Sequence, residues 1–67
     1  MPYVNVKIAG TATTEQKERV MAGITQVLVD VLDKKPEKVY VVIDEVSLDN
    51  WGSNGESLST RRARQEG

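Results

Sequence analysis

The 67-residue chain contains no cysteine and no histidine. Without cysteine there is no disulfide and no thiolate nucleophile. Without histidine the commonest general base is missing, and zinc sites of the usual kinds lose their ligands. Any acid–base chemistry must therefore use another group, and no cofactor is expected. Nor is there an apolar run approaching the ~18 residues of a membrane span. The chain does not open with a charged leader followed by an apolar core, so a cytoplasmic location is expected. Charge of one sign is also lacking. Nine lysines and arginines against ten acids leave a net charge of -1, which provides no field to gather nucleic acid or an anionic membrane surface. The local exception is Arg61, Arg62 and Arg64 near the end of the chain.

A chain of this length forms one domain at most and buries only about 60% of the surface its unfolded form exposes. Small scaffolds compensate with disulfides, metals or association. The first two are excluded by composition, so self-association is the default expectation.

What is present reads as an α/β unit. From Tyr3 to Ile8 the residues alternate: Val4, Val6 and Ile8 point one way, and Tyr3, Asn5 and Lys7 the other. This is the period of a half-buried strand. Pro2 belongs to the apolar face and precedes the paired part of the strand, where its missing N–H costs no ladder bond. Thr13 followed by Gln16 has the form of a capping box. Beyond it Val20, Met21, Ile24, Val27, Leu28, Val31 and Leu32 form one amphipathic stripe, with Lys17, Glu18, Arg19, Gln26 and Asp30 largely outside it. Within that helix Ile24 and Leu28 are expected to be deeply buried.

The run Asp33–Pro36 ends the helix. Val39 to Ile43, β-branched and aromatic, reads as a central strand buried on both faces. Strand, helix and strand make one βαβ unit with a parallel pair. The turn formers 52–55 predict a loop or short hairpin, and the polar stretch from Ser59 onward predicts a mobile end unless a neighbouring subunit holds it.

The opening Met-Pro-Tyr-Val-Asn-Val-Lys-Ile, the Thr-Glu-Gln-Lys at 14–17, the Val-Ile-Asp-Glu-Val at 42–46 and the Asp-Asn-Trp-Gly at 49–52 together resemble a 4-oxalocrotonate tautomerase subunit of the tautomerase superfamily. The resemblance reaches to about Thr60. It implies a tautomerase-like βαβ domain over residues 1–60, with 61–67 as a charged tail. It also implies pairing of subunits through their sheets into dimers, and a homohexamer built from dimers.

In that family the initiator methionine is removed and the secondary amine of the terminal proline is the catalytic base or acid. The chemistry is reasonable for Pro2. A terminal amine titrates near pH 7.7–8.0, and modest desolvation brings it into the neutral range as a base. Val4, Val6 and Ile8 on its face would supply part of a dry surround. Trp51 falls where the family places an aromatic residue in the pocket wall; an aromatic plug at a subunit contact is the other reading.

Two positions depart from the family pattern. Arginines that hold the substrate carboxylate and polarise its carbonyl are replaced by Ala12 and Tyr40. Neither can grip a carboxylate as a planar guanidinium does, so weakened dicarboxylate binding is expected. Tyr40 retains one phenolic donor for a carbonyl oxygen, against simple strand packing. Lys7 lies opposite the Pro2 face and reads as a solvated or interface lysine. Lys34, Lys35 and Lys38 suit the negative end of the helix dipole. Arg61, Arg62 and Arg64 would reach a neighbouring pocket only if the tail folds back. Asp44 and Glu45, being adjacent on a strand, point to opposite faces and make no dyad.

The function implied is an isomerase acting on a small enol or keto acid. Its catalytic residue is Pro2, its substrate-binding residues are Trp51, Tyr40 and Ile8, and its partners are copies of itself. The alternatives are a hydratase- or dehalogenase-like relative and a non-catalytic oligomeric family member.

Overall fold

A computed structural model describes residues 1–66. In chain order it contains β1 (Tyr3–Ala9), α1 (Thr14–Leu32), β2 (Tyr40–Val46), β3 (Gly52–Ser53), β4 (Glu56–Ser57) and α2 (Leu58–Glu66). Short 3-10 turns at Pro36–Lys38 and Leu48–Asn50 flank β2. β1 and β2 pair in parallel, with Tyr3 opposite Tyr40, Asn5 opposite Val42 and Ala9 opposite Val46. The helix between them packs on β2. The βαβ expectation is met.

The capping box is present in full: Gln16 N–H donates to the Thr13 hydroxyl at 3.1 Å, and Thr13 N–H to the Gln16 amide oxygen at 2.9 Å. At the other end Asp33 adopts the left-handed conformation and its N–H bonds Leu28 O. The helix therefore stops three residues before Pro36, which opens the following turn.

Burial departs from expectation. Among the described residues none reaches core-level burial. Ile24 and Leu28 are only half-buried, together with Met21, so the deep burial expected of them is absent within one protomer. Val20, Val27 and Val31, part of the predicted stripe, are 43%, 57% and 74% exposed. β2 is not covered on both faces either: Tyr40 and Val42 are exposed opposite the helix. The protomer has a radius of gyration of 15.7 Å and extends 48 Å along its longest axis, whereas a compact chain of this length has about 11 Å. One helix on two strands has too few layers to enclose a side chain.

The chain beyond β2 forms a separate small cluster. β3 and β4 make a hairpin whose Asn54 and Gly55 both have positive φ, the requirement of a two-residue turn of the primed type. After it the expected mobile end is instead helical, and α2 runs across residue 60 without a break. Contacts from β4 help to hold it. The Ser57 hydroxyl accepts Thr60 N–H, Arg64 grips Glu56 through two 2.6 Å bonds, and Arg61 lies 3.6 Å from the same carboxylate. Glu56 is accordingly held below the usual carboxylate range, chiefly by Arg64. Glu56→Ala is expected to abolish hydrogen-exchange protection in 58–66 while leaving that of α1 unchanged.

Candidate functional site

Pro2 lies immediately before β1, and its carbonyl accepts a hydrogen bond from Tyr40 N–H at 3.0 Å. It is therefore fixed to the start of β2, half-buried, with Tyr3 and Tyr40 paired beside it on the opposite face of the sheet. Ile8 is six residues further along β1, about 20 Å at the strand rise, and level with Glu45. Trp51 follows the far end of β2. Its N–H bonds Leu48 O, and its carbonyl accepts Leu58 N–H at 2.9 Å, which ties it to the hairpin and α2. Of the four residues named from sequence, Pro2 and Tyr40 thus share one end of the sheet, and Ile8 and Trp51 belong to the other. A single protomer does not assemble them.

The far end carries its own polar construction. Glu45 accepts Ala12 N–H at 2.8 Å and the Lys17 ammonium at 3.1 Å. These bonds hold its carboxyl below the usual range, the Ala12 amide contributing most. Beside it a recess of about 70 Å³ opens between Val6, Ile8 and Ile43 of the sheet and Gln16 and Val20 of the helix. Lys17 lines this recess rather than standing outside the packed side of α1, as the sequence reading had it. The spacing Lys17, Met21, Ile24, Leu28 is the helical signal that places it there.

Because folding lowers the Glu45 pKa, its contribution to stability is present above the ordinary carboxylate value and is lost as pH falls through the folded value. Unfolding in urea should show stability declining below about pH 4.5, with a smaller decline in Glu45→Gln.

On the other face Asp44 accepts Lys7 at 2.8 Å and Asn5 at 2.9 Å. Lys7 chiefly, then Asn5, lowers the Asp44 pKa. Asp44 and Glu45 are engaged on opposite faces, as their adjacency requires. Arg61 and Arg64 are committed to Glu56, so two of the three tail arginines are tied down within the protomer. Among the described residues no group of histidine, cysteine or acid side chains is arranged to hold a metal ion, and no helix is long and apolar enough to cross a membrane.

Comparison with known proteins matches residues 2–61 to the family model described as "Tautomerase enzyme". A probable tautomerase of Dickeya dadantii is 52% identical over 63 residues, covering 92% of this chain and 94% of the relative. Among solved structures, DmpI from Helicobacter pylori superposes with a TM-score of 0.85 at 35% identity, covering 92% of this chain and 97% of that one. A 4-oxalocrotonate tautomerase isozyme from Methylibium petroleiphilum gives 0.88 at 28% identity, covering 94% and 98%.

Proposed function

The chain belongs to the tautomerase family, and from that premise we propose that it is an isomerase interconverting small enols and their keto forms, with the amine of Pro2 as the proton carrier once Met1 is removed. The observation that carries this reading is the placement of Pro2: fixed by Tyr40 just before β1, on the apolar face with Val4 and Val6, and next to Met1, which is 82% exposed. Met1 therefore projects into solvent, where a processing enzyme can reach it. Its loss converts an amide nitrogen into a secondary amine whose lone pair is fixed in direction by the ring. That amine takes a proton from the enol oxygen side of the substrate and returns one to carbon, so that a single group serves as base and then acid.

The site is completed by a second copy. The outer edge of β1 is unpaired among the described residues; the exposed Val20 borders the recess with Val6 and Ile8 of β1 and Ile43 of β2, and Val27 and Val31 fall on the same flank of α1 by helical spacing. Antiparallel pairing of two β1 edges about Asn5 sets Pro2 opposite Ile8 of the partner subunit, and lays the two helices side by side on a four-stranded sheet. The tautomeric pocket then has Pro2 from one chain, held through its carbonyl by the Tyr40 N–H, and the Ile8 region from the other. The opposite face, with Tyr3, Tyr40 and Val42 exposed, provides a further surface on which dimers stack, and Trp51 on its projecting arm reaches a neighbour in the same assembly.

An α-halocarbonyl reagent tests the reading directly. Intact mass should show Met1 absent, and peptide mapping should show alkylation at Pro2 ahead of any lysine near neutral pH. Retention of Met1 in the natural protein, or labelling of lysines with Pro2 untouched, refutes the proposal.

A further inference from the structure

We infer that the apolar recess at the Ile8 end of the sheet receives an uncharged alkyl group of the substrate, so that the preferred substrates are neutral aldehydes or ketones and their enols rather than acids. This rests on the proposed role of Pro2 and names the substrate class of that site.

Position is the first argument. Val6 and Ile8 of β1 and Ile43 of β2 line the recess with Ala12 and Val20. Val6 and Ile8 alternate with Asn5 and Lys7, so they share the face of β1 that carries Pro2 and Val4. In the antiparallel pairing about Asn5, Pro2 of the partner subunit stands opposite Ile8 on that face, with about 5 Å between the Cβ atoms. A substrate held at the Pro2 nitrogen therefore meets Ile8, and a group on its α-carbon has the recess that Ile8 lines beside it.

The lining is the second argument. Ala12 N–H donates to Glu45 at 2.8 Å, the Lys17 ammonium pairs with the same carboxylate at 3.1 Å, and the Gln16 amide oxygen accepts Thr13 N–H at 2.9 Å. Arg19 is exposed on the outer surface beside Gln16 and Val20 and does not line the recess. The rim thus carries no unmatched charge. A carboxylate entering it would lose its water without gaining a partner, whereas an alkyl group loses nothing. Ala12, one of the two residues that replace the family arginines, leaves the space open.

Size is the third. The recess of about 70 Å³ equals roughly two water volumes and is less than half of the ~150 Å³ of an apolar cavity that holds benzene. It admits a methyl or isopropyl group and excludes a six-membered ring.

The test is exchange of aldehyde α-protons in D2O, followed by proton NMR with the processed, assembled chain. The Pro2 amine takes the α-proton, the C–H electron pair passes into the enolate, and the same nitrogen, after exchange with solvent, returns deuterium to carbon. Relative to uncatalysed exchange, kcat/KM for 3-methylbutanal, whose α-carbon carries isopropyl, should exceed that for propanal, which carries methyl, by about tenfold. Cyclohexylacetaldehyde and succinic semialdehyde, which carry a ring and a carboxymethyl group there, should both fall about tenfold below 3-methylbutanal. Ala12→Leu fills the recess and should shrink the isopropyl preference to about twofold or less; Ala12→Val makes the same test if leucine changes the mass seen in sedimentation. A flat series, a series led by succinic semialdehyde, or an isopropyl preference that survives both substitutions overturns the inference.

Binding of 3-methylbutanamide, a neutral analogue that needs no proton transfer, separates this result from the fate of the Pro2 proposal. Chemical-shift changes at the methyl groups of Val6, Ile8 and Ile43 that persist in Pro2→Ala and disappear in Ala12→Leu support the recess even if Pro2→Ala exchanges aldehydes at the native rate. No change at those methyl groups means that the partner's side chains fill the space, and overturns the inference even if Pro2 proves essential.

Discussion

Chain that retains Met1 should ketonise a small enol about 10²- to 10⁴-fold more slowly than the processed chain, the span that a positioned general base contributes. The amide nitrogen of an internal proline has no basic lone pair, so the whole contribution is lost without altering a side chain. Processed Pro2→Ala should fall between the two. A terminal alanine keeps an amine with a pKa near 7.7–8.0, but that amine rotates freely and lacks the ring that aims the lone pair. Circular dichroism should show both proteins folded, because Pro2 contributes to the sheet only through its carbonyl, which accepts Tyr40 N–H and is retained in either case. A dicarboxylated enol should be a poor substrate for all three, since Ala12 and Tyr40 provide no bidentate grip. Equal ketonisation rates for processed protein, unprocessed protein and Pro2→Ala would remove Pro2 from the mechanism.

Local features were legible where a short-range pattern decides them. The alternation of Val4, Val6 and Ile8 gave β1, and Thr13 with Gln16 gave the start of α1, because each depends on residues within one turn or one pleat. α2 was not legible. Its sequence is polar and carries no long apolar stripe, and its hold comes from contacts outside the helix, among them Glu56 of the β3–β4 hairpin reaching Arg64 across eight residues.

The continuous hydrophobicity of Val39 to Ile43 predicts burial on both faces, and that of Val20 to Leu32 predicts one core stripe. Both patterns describe surfaces meant to be covered, whereas a single protomer covers only part of them. For the same reason the sequence names candidate residues without showing how they group. Pro2 and Tyr40 stand at one end of β1 and β2, Ile8 and Trp51 at the other, and the relation between the two ends depends on how copies meet.

Val27→Asp should convert the assembled protein into an unfolded or monomeric chain. Val27 is 57% exposed in the protomer, and no described contact explains an apolar residue there, midway between Val20 and Val31 on one flank of α1. Valine and aspartate have similar helix propensities, so in a free monomer the change should alter stability by no more than about 0.5 kcal/mol, as surface substitutions do. Covered by the helix of a second copy, the same aspartate becomes an unpaired charge in an apolar contact, which costs several kcal/mol. Two-fold symmetry introduces it twice.

Dissociation and unfolding should then occur together, because no described residue of the isolated protomer is buried and nothing inside it replaces the lost partner surface. Sedimentation should give the native chain a mass several times its 7.4 kDa and a Tm that rises with protein concentration. Glu18→Gln, on the outer side of α1, should behave as the native chain in both measurements. A Val27→Asp protein with native mass and native Tm would show that this flank stays in solvent, and that Pro2 is not brought to Ile8 of the partner subunit by β1 pairing.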